Sequence, residues 1–269
     1  EPGILSLLTV TRGWQVAAYA ELNCWSNFTF LSAASHPEEL IRTAARLGYR
    51  ALALTDECSL AGVVRAHAEA NALGFKLLIG TEVAVEAGPR LILLAADASG
   101  YGDLSALISV ARRRASKGSY RLLATDLDDG LPGCLAIWIA DTEARLSDGG
   151  WLCERFAGRC WIGVALHRAG DDQGRLRGLQ RLGGALGLPL VAIGAVRMHA
   201  AERAPLLDLV RAIRAGVDVA RGAAHRQNRE QHLRTLEQLG RFYPEPLLAE
   251  TLAVAERCQF SLDQLRYDY

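Results

Sequence analysis

Lysine is nearly missing from this chain: of 30 basic residues only Lys76 and Lys117 are lysines, and arginine supplies the rest. Basic and acidic residues cancel to a formal net charge of zero. That balance excludes a free-standing nucleic-acid binder with a strong electrostatic footprint, so any DNA contact needs a local patch or another domain. No apolar run reaches the roughly 18 to 20 residues of a membrane span. No charged start followed by a small-residue cleavage site marks a secreted chain either, and the cytoplasm is the expected location. The six cysteines (Cys24, Cys58, Cys134, Cys153, Cys160 and Cys258) form no CxxC pair. Such scatter fits reduced core thiols better than a disulfide framework or a zinc site. There is no GxGxxG or Walker loop to support a nucleotide-binding open sheet. An initiator methionine is absent and the last residues carry no helix stop, so a piece of a longer protein is expected.

What is present is a core and a repeated phrase. Half of the 269 residues are hydrophobic, enough for one full α/β barrel. Leu47-Gly48 to Asp56 (LGYRALALTD), Leu73-Gly74 to Glu82 (LGFKLLIGTE) and Leu186-Gly187 to Ala195 (LGLPLVAIGA) each place Leu-Gly before an apolar run. Glycine just past a helix, followed by a buried strand, is the helix-to-strand half of a βα unit. Repetition of that unit builds a parallel sheet or barrel, whose C-terminal strand ends carry the chemistry.

Along the chain, strands are predicted at 18–22, 51–55, 76–81, 91–95, 134–139, 161–166 and 189–193. Ser35-His36-Pro37-Glu38 reads as a capping box opening a helix to Leu47, Ser59 as the cap of a second helix to about Leu73, and 101–114 as a third. From Ala201 the pattern is helical, with Pro244 and Pro246 entering a last helix to about Cys258. The expectation is an α/β fold, a distorted (β/α)7 TIM-like barrel over 18–222. A poorly specified lead-in occupies 1–17, and a C-terminal helical extension 223–269.

The polar groups at the predicted strand ends are Asn23 and Trp25, Asp56 and Glu57, Glu82, His167, and the Ala195 to His199 segment. A hydrolytic metal site needs several convergent His, Asp and Glu ligands to hold ions that clamp a phosphate and activate water. Tyr19-Ala-Glu-Leu-Asn-Cys-Trp-Ser-Asn-Phe-Thr-Phe-Leu, Ser35-His-Pro-Glu-Glu-Leu, Leu54-Thr-Asp-Glu-Cys-Ser-Leu-Ala-Gly and Ile79-Gly-Thr-Glu together resemble the start of a PHP (polymerase and histidinol phosphatase) domain. More narrowly they resemble the N-terminal PHP domain of the bacterial error-prone DNA polymerases, C-family enzymes of damage-induced mutagenesis and translesion synthesis. Asn228-Arg-Glu-Gln-His-Leu-Arg and Glu256-Arg-Cys-Gln-Phe-Ser-Leu-Asp-Gln-Leu-Arg-Tyr resemble the stretch that leads toward the polymerase palm. The likeness covers about residues 18–269.

The resemblance implies where ligands belong. The H-x-H pair after the first strand reads Asn23 and Trp25, and the next ligand position reads Ser32. Thr-Asp-His-Gly becomes Thr55-Asp56-Glu57-Cys58, Glu82 remains, and the closing Asp-x-His becomes Ala195-Val196-Arg197. Two central ligands have no clear counterpart, with Cys134 a candidate for one. The implied reading is a catalytically degenerate barrel with no metal or cofactor and no proofreading, in which Arg197 supplies positive charge to Glu57 or Glu82. Asp56 and Glu82 stand either as residual ligands or as hydrogen-bonded relics, and Glu57, Glu82 and His199 are the weak metal candidates. By the same resemblance the partner is the polymerase core of the same chain, whose palm, absent here, binds magnesium. Mutasome proteins, the sliding clamp and DNA are reached through that parent. The alternative is an active metal-dependent phosphoesterase, pyrophosphatase or 3′–5′ exonuclease using Glu57, Glu82, Asp56 and His199. Arg211, Arg214, Arg221, Arg226, Arg229, Arg234 and Arg241, with His225 and His232, make the C-terminal part basic, either as a solvated or interdomain face or as a DNA-backbone contact.

Overall fold

The computed structural model describes residues 18–141, 144–218 and 228–265. The lead-in predicted at 1–17 lies outside the described residues. Seven strands follow one another in a single sheet in chain order: β1 (Ala20–Cys24), β2 (Ala51–Leu54), β3 (Lys76–Ala84), β4 (Arg90–Ala95), β5 (Cys134–Trp138), β6 (Cys160–Val164) and β7 (Leu190–Ala192). The helices are α1 (Pro37–Arg46), α2 (Val63–Leu73), α3 (Ala98–Arg113), α4 (Leu146–Arg155), α5 (Asp172–Leu186), α6 (Ala204–Ala215), α7 (Leu236–Phe242) and α8 (Glu245–Arg257). The α/β barrel expected from the repeated phrase is present: α1, α2 and α5 end at that phrase, and β2, β3 and β7 follow. Gly74 and Gly187 hold the left-handed cap conformation that only glycine adopts at little cost.

One strand departs from the parallel pattern. β4 runs antiparallel to both β3 and β5, while all other neighbours pair in parallel. Between β3 and β4 lies only the turn Val85 to Pro89, closed by the Val85 amide to the Pro89 carbonyl at 3.0 Å. So short a link cannot hold a crossover helix and forces a hairpin. The predicted capping box also shifts by one residue. His36 is the cap residue of α1, and Glu39 accepts its backbone N–H at 2.9 Å. α2 starts after Gly62 rather than Ser59.

The sheet closes where β1 meets the segment after β7. The Trp25 amide donates to the Val196 carbonyl and the Val196 amide to the Asn23 carbonyl, each at 2.9 Å. A buried carboxylate clamps that seam. Glu21 Oε1 accepts from the backbone amides of Asn23 and Gly194, and Oε2 from the Tyr19 hydroxyl. Burial pushes the Glu21 carboxyl up, and those three donors oppose the shift. Gly194 must be glycine here because Glu21 fills the space a Cβ would take.

Side chains alternate across the wall, as period-2 strands require. Leu52, Leu54, Ile79, Leu91 and Leu93 face the helices, while Ala20, Leu22, Ala53, Leu78, Ile92 and Ile137 face the barrel interior. Val254 and Ala255 of α8, with Cys258 just past it, belong to that interior cluster. α8 stoppers the foot of the barrel. Its Thr251 hydroxyl accepts the Ala20 N–H at 3.1 Å, Glu250 accepts the Trp161 indole N–H at 2.7 Å, and the Ala255 carbonyl accepts Lys76 Nζ at 2.8 Å. Those three partners stand at the starts of β1, β6 and β3. The segment before α7 is extended and lines the other end, where the Gln231 carbonyl accepts the Arg197 amide at 2.9 Å. Among the described residues no helix is long and apolar enough to cross a membrane.

Candidate functional site

The mouth of the barrel gathers Asn23 and Trp25 from the end of β1, Thr55 from the end of β2, Glu82 from β3, Arg90 from β4, and Arg197 after β7. Glu82 is the centre and is almost wholly buried. Its Oε1 accepts from Arg90 Nη1 at 2.7 Å. Its Oε2 accepts from Asn23 Nδ2 at 2.8 Å and from Arg197 Nη2 at 3.4 Å. Arg197 also donates to Asn23 Oδ1 and to the Val196 carbonyl. Its guanidinium lies over the Trp25 ring, with Cζ 3.5 Å from the centroid. Burial pushes the Arg197 guanidinium down from its usual range, and the charge of Glu82 opposes that shift.

Arg197 therefore meets Glu82 and not Glu57. Glu57 instead accepts from Tyr120 Oη at 3.2 Å and from Arg90 Nη1 at 3.4 Å. Arg90 and Tyr120 were missed by sequence reasoning. The signal for Arg90 was the hairpin: Glu82 pairs with Ile92 across β3 and β4, so Arg90, two residues before Ile92, shares their inward face.

The other predicted residues scatter. Asp56 turns away from Glu82 and ties down the loop after β1. It accepts from the Ser26 amide, the Ser26 hydroxyl and the Thr29 hydroxyl, each at 2.7 Å. Ser32 accepts from Arg214 of α6. His199 bonds the Ser35 hydroxyl at 2.8 Å beside the start of α1, and burial lowers its affinity for a proton. His167 bonds the Gly194 carbonyl at 2.8 Å, and burial likewise lowers its pKa. Ala195 brings no donor and holds a positive φ of 46°. Cys134 lies at the start of β5, toward the foot, against the Gly100 carbonyl, so it is no ligand candidate at the mouth. Nor do the described members of the C-terminal basic set form one face. Arg234 is buried and donates to the Leu166 carbonyl, Arg211 serves Gln231 and Arg241 serves Glu237. Arg221, His225 and Arg226 lie outside the described residues.

Asp56 makes the stability of this mouth depend on pH. Burial lifts its carboxyl from the usual 3.8 to about 6, against the pull of Ser26 and Thr29. The folded state thus holds this proton more tightly than the unfolded chain. The stabilising contribution is full below about pH 4 and is lost as pH rises through about 6, a span of roughly 3 kcal/mol. Asp56→Asn keeps an acceptor for the Ser26 amide and should flatten that part of the profile. Urea midpoints from about pH 4 to 7 measure it, and an unchanged slope would refute the lifted carboxyl.

Among the described residues no group of three or more His, Cys, Asp or Glu side chains stands ready to hold a metal ion. The donor set at the mouth is one carboxylate already shared by two guanidiniums and an amide, with a second beside Arg90. This set does not fit a divalent-metal cluster, because two guanidiniums and an indole crowd the carboxylates.

Residues 21–138, which run from β1 through β5 and include Asn23, Trp25, Asp56, Glu57 and Glu82, match the PHP domain family. The chain carries a PHP domain. It is 57% identical over 255 residues to the error-prone DNA polymerase of Methylococcus capsulatus, covering 94% of this chain and 24% of that protein. To the error-prone DNA polymerase of Pseudomonas aeruginosa it is 52% identical over 256 residues, covering 95% of this chain and 25% of that one. The chain thus spans about a quarter of the length of the curated relatives it matches. An amidohydrolase from Chromobacterium violaceum superposes on the PHP barrel with a TM-score of 0.51 at 17% identity, over 67% of this chain and 88% of that one, a likeness of fold.

Proposed function

We propose that this PHP domain is catalytically degenerate and serves as a structural and docking module of an error-prone DNA polymerase. The observation that carries the reading is the state of Glu82: both of its oxygens are engaged, by Arg90 on one side and by Asn23 and Arg197 on the other. Two guanidiniums balance Glu82 and Glu57 as ions would, but they offer no open coordination position for a water or a phosphate. Trp25 packs under Arg197 and takes up room that a substrate would need. In the parent chain, primer extension would fall to a magnesium-binding palm outside these residues. The barrel would add neither metal chemistry nor 3′–5′ proofreading. Translesion synthesis after DNA damage, a cytoplasmic setting and contacts to mutasome proteins or the sliding clamp would belong to that whole protein, a reading that the kinship with error-prone polymerases supports.

Elemental analysis of the purified full-length chain, together with phosphatase and 3′–5′ exonuclease assays in manganese or zinc, tests the reading. The expected result is no metal beyond the palm's own requirement and no hydrolysis. Two or more further ions per chain, with hydrolysis abolished by Glu82→Ala, would establish a phosphoesterase or exonuclease instead.

A further inference from the structure

Helix α6 wears its polarity inside out. Ala204, Leu207 and Ala212 are buried, the first two beside Met198 and Ala34. The charged residues of α6, Asp208, Arg211 and Arg214, lie off the opposite side; Arg211 donates to Gln231 and the exposed Arg214 to Ser32. The opposite side carries Leu206, Leu209, Ile213 and, just past the helix, Val217. These are exposed by 38%, 43%, 57% and 38%. At spacings of three and four residues they form one stripe, with no charged residue in it. Phe30, exposed by 78%, stands on the loop after β1, two residues from the Ser32 that accepts from Arg214. A surface helix ordinarily turns its charges to water, and a contiguous apolar face of this kind marks an interaction site.

We infer that the outward face of α6, with Phe30, is the surface on which the rest of the same polymerase chain packs. This inference rests on the docking role proposed above and names its surface. The relatives are about four times as long as the part described here, so most of such a chain has yet to be placed against this barrel. A stripe without charges suits a permanent partner, since obligate interfaces are more apolar than transient ones. A body tethered to the barrel by the same polypeptide is also held beside it at high effective concentration.

Hydroxyl-radical labelling of the full-length chain, alone and at low concentration, reads side-chain exposure directly. Val64 on α2 and Leu146 at the start of α4, exposed by 68% and 59%, serve as internal references. Leu206, Leu209, Ile213 and Phe30 should label several-fold less than these two. Leu209→Asp with Ile213→Asp changes residues that the barrel itself leaves in solvent, so the barrel should fold. In the full-length chain that double variant should increase labelling of the polymerase body and speed its proteolysis. Labelling of the stripe equal to Val64 overturns the inference. So does protection that appears only at high concentration, which would mean a second copy, or only with an added accessory protein. If the stripe labels freely while another barrel face is protected, the surface is wrong and the docking role stands. If no face is protected, both fail.

Discussion

Val254→Asp should abolish the cooperative unfolding transition of this domain at neutral pH. Val254 is fully buried in the interior cluster, where α8 meets the foot of the barrel. It shares that cluster with Ala20, Ala51, Ala53 and Val191, none of which offers a partner to a carboxylate. An unpaired charge in such surroundings costs about 4 kcal/mol or more, which approaches the whole stability of an ordinary domain. Ala253→Asp, one residue earlier on the exposed side of the same helix, is the control and should shift stability by no more than about 0.5 kcal/mol. Circular dichroism melts of the two variants decide the matter. A sharp transition in Val254→Asp would mean that α8 is dispensable to the barrel.

Breaking the charge network at the mouth should cost nearly as much, and repairing it should return part of the loss. Glu82→Gln leaves the Arg197 guanidinium buried against Trp25 with neutral acceptors in place of the carboxylate: the new amide oxygen, Asn23 Oδ1 and the Val196 carbonyl. Arg197→Met leaves Glu82 with Arg90 and Asn23. Removing one partner of a buried ion pair typically costs about 3–5 kcal/mol, and the lower end applies to Arg197→Met because Arg90 remains. The double variant Glu82→Gln/Arg197→Met removes both charges, and methionine keeps much of the packing over Trp25. Its loss should fall short of the sum of the single losses by about 2 kcal/mol, read from urea unfolding. Additive single losses would mean that the 3.4 Å contact between Arg197 and Glu82 carries no coupling.

Much of the architecture was legible because local signals and tertiary structure agree. Leu-Gly followed by an apolar run marks where α1, α2 and α5 stop and where β2, β3 and β7 start, and each rests on a helix cap that is read within a few residues. The starts of α1 and α2 were set too early because Ser35 and Ser59 look like caps, whereas His36 and Gly62 hold those places, and β1 begins two residues later than predicted, at Ala20. At the site, Arg197 was legible as the cation for Glu57 or Glu82, because a buried carboxylate without metal ligands needs one, and the structure pairs it with Glu82. Arg90 was not, because its role depends on the register of a hairpin. Asp56 looked equivalent to Glu82 at the end of a strand, yet its side chain faces the Ser26 and Thr29 loop instead of the mouth.

The sequence by itself determined that this chain builds an α/β barrel of alternating strands and helices. It also determined that Asn23, Trp25, Glu57 and Arg197, and no histidines, stand at those places near the strand ends, since both are properties of short stretches and residue types. Only the tertiary structure decided that β4 runs backwards, that α8 stoppers the foot, and that two arginines rather than one hold Glu82. It also decided that α6 turns its apolar side to solvent. Each of these depends on which face of one element meets another far away in the chain, and that choice is made by packing volume and charge pairing across the closed sheet, which no local window of residues contains.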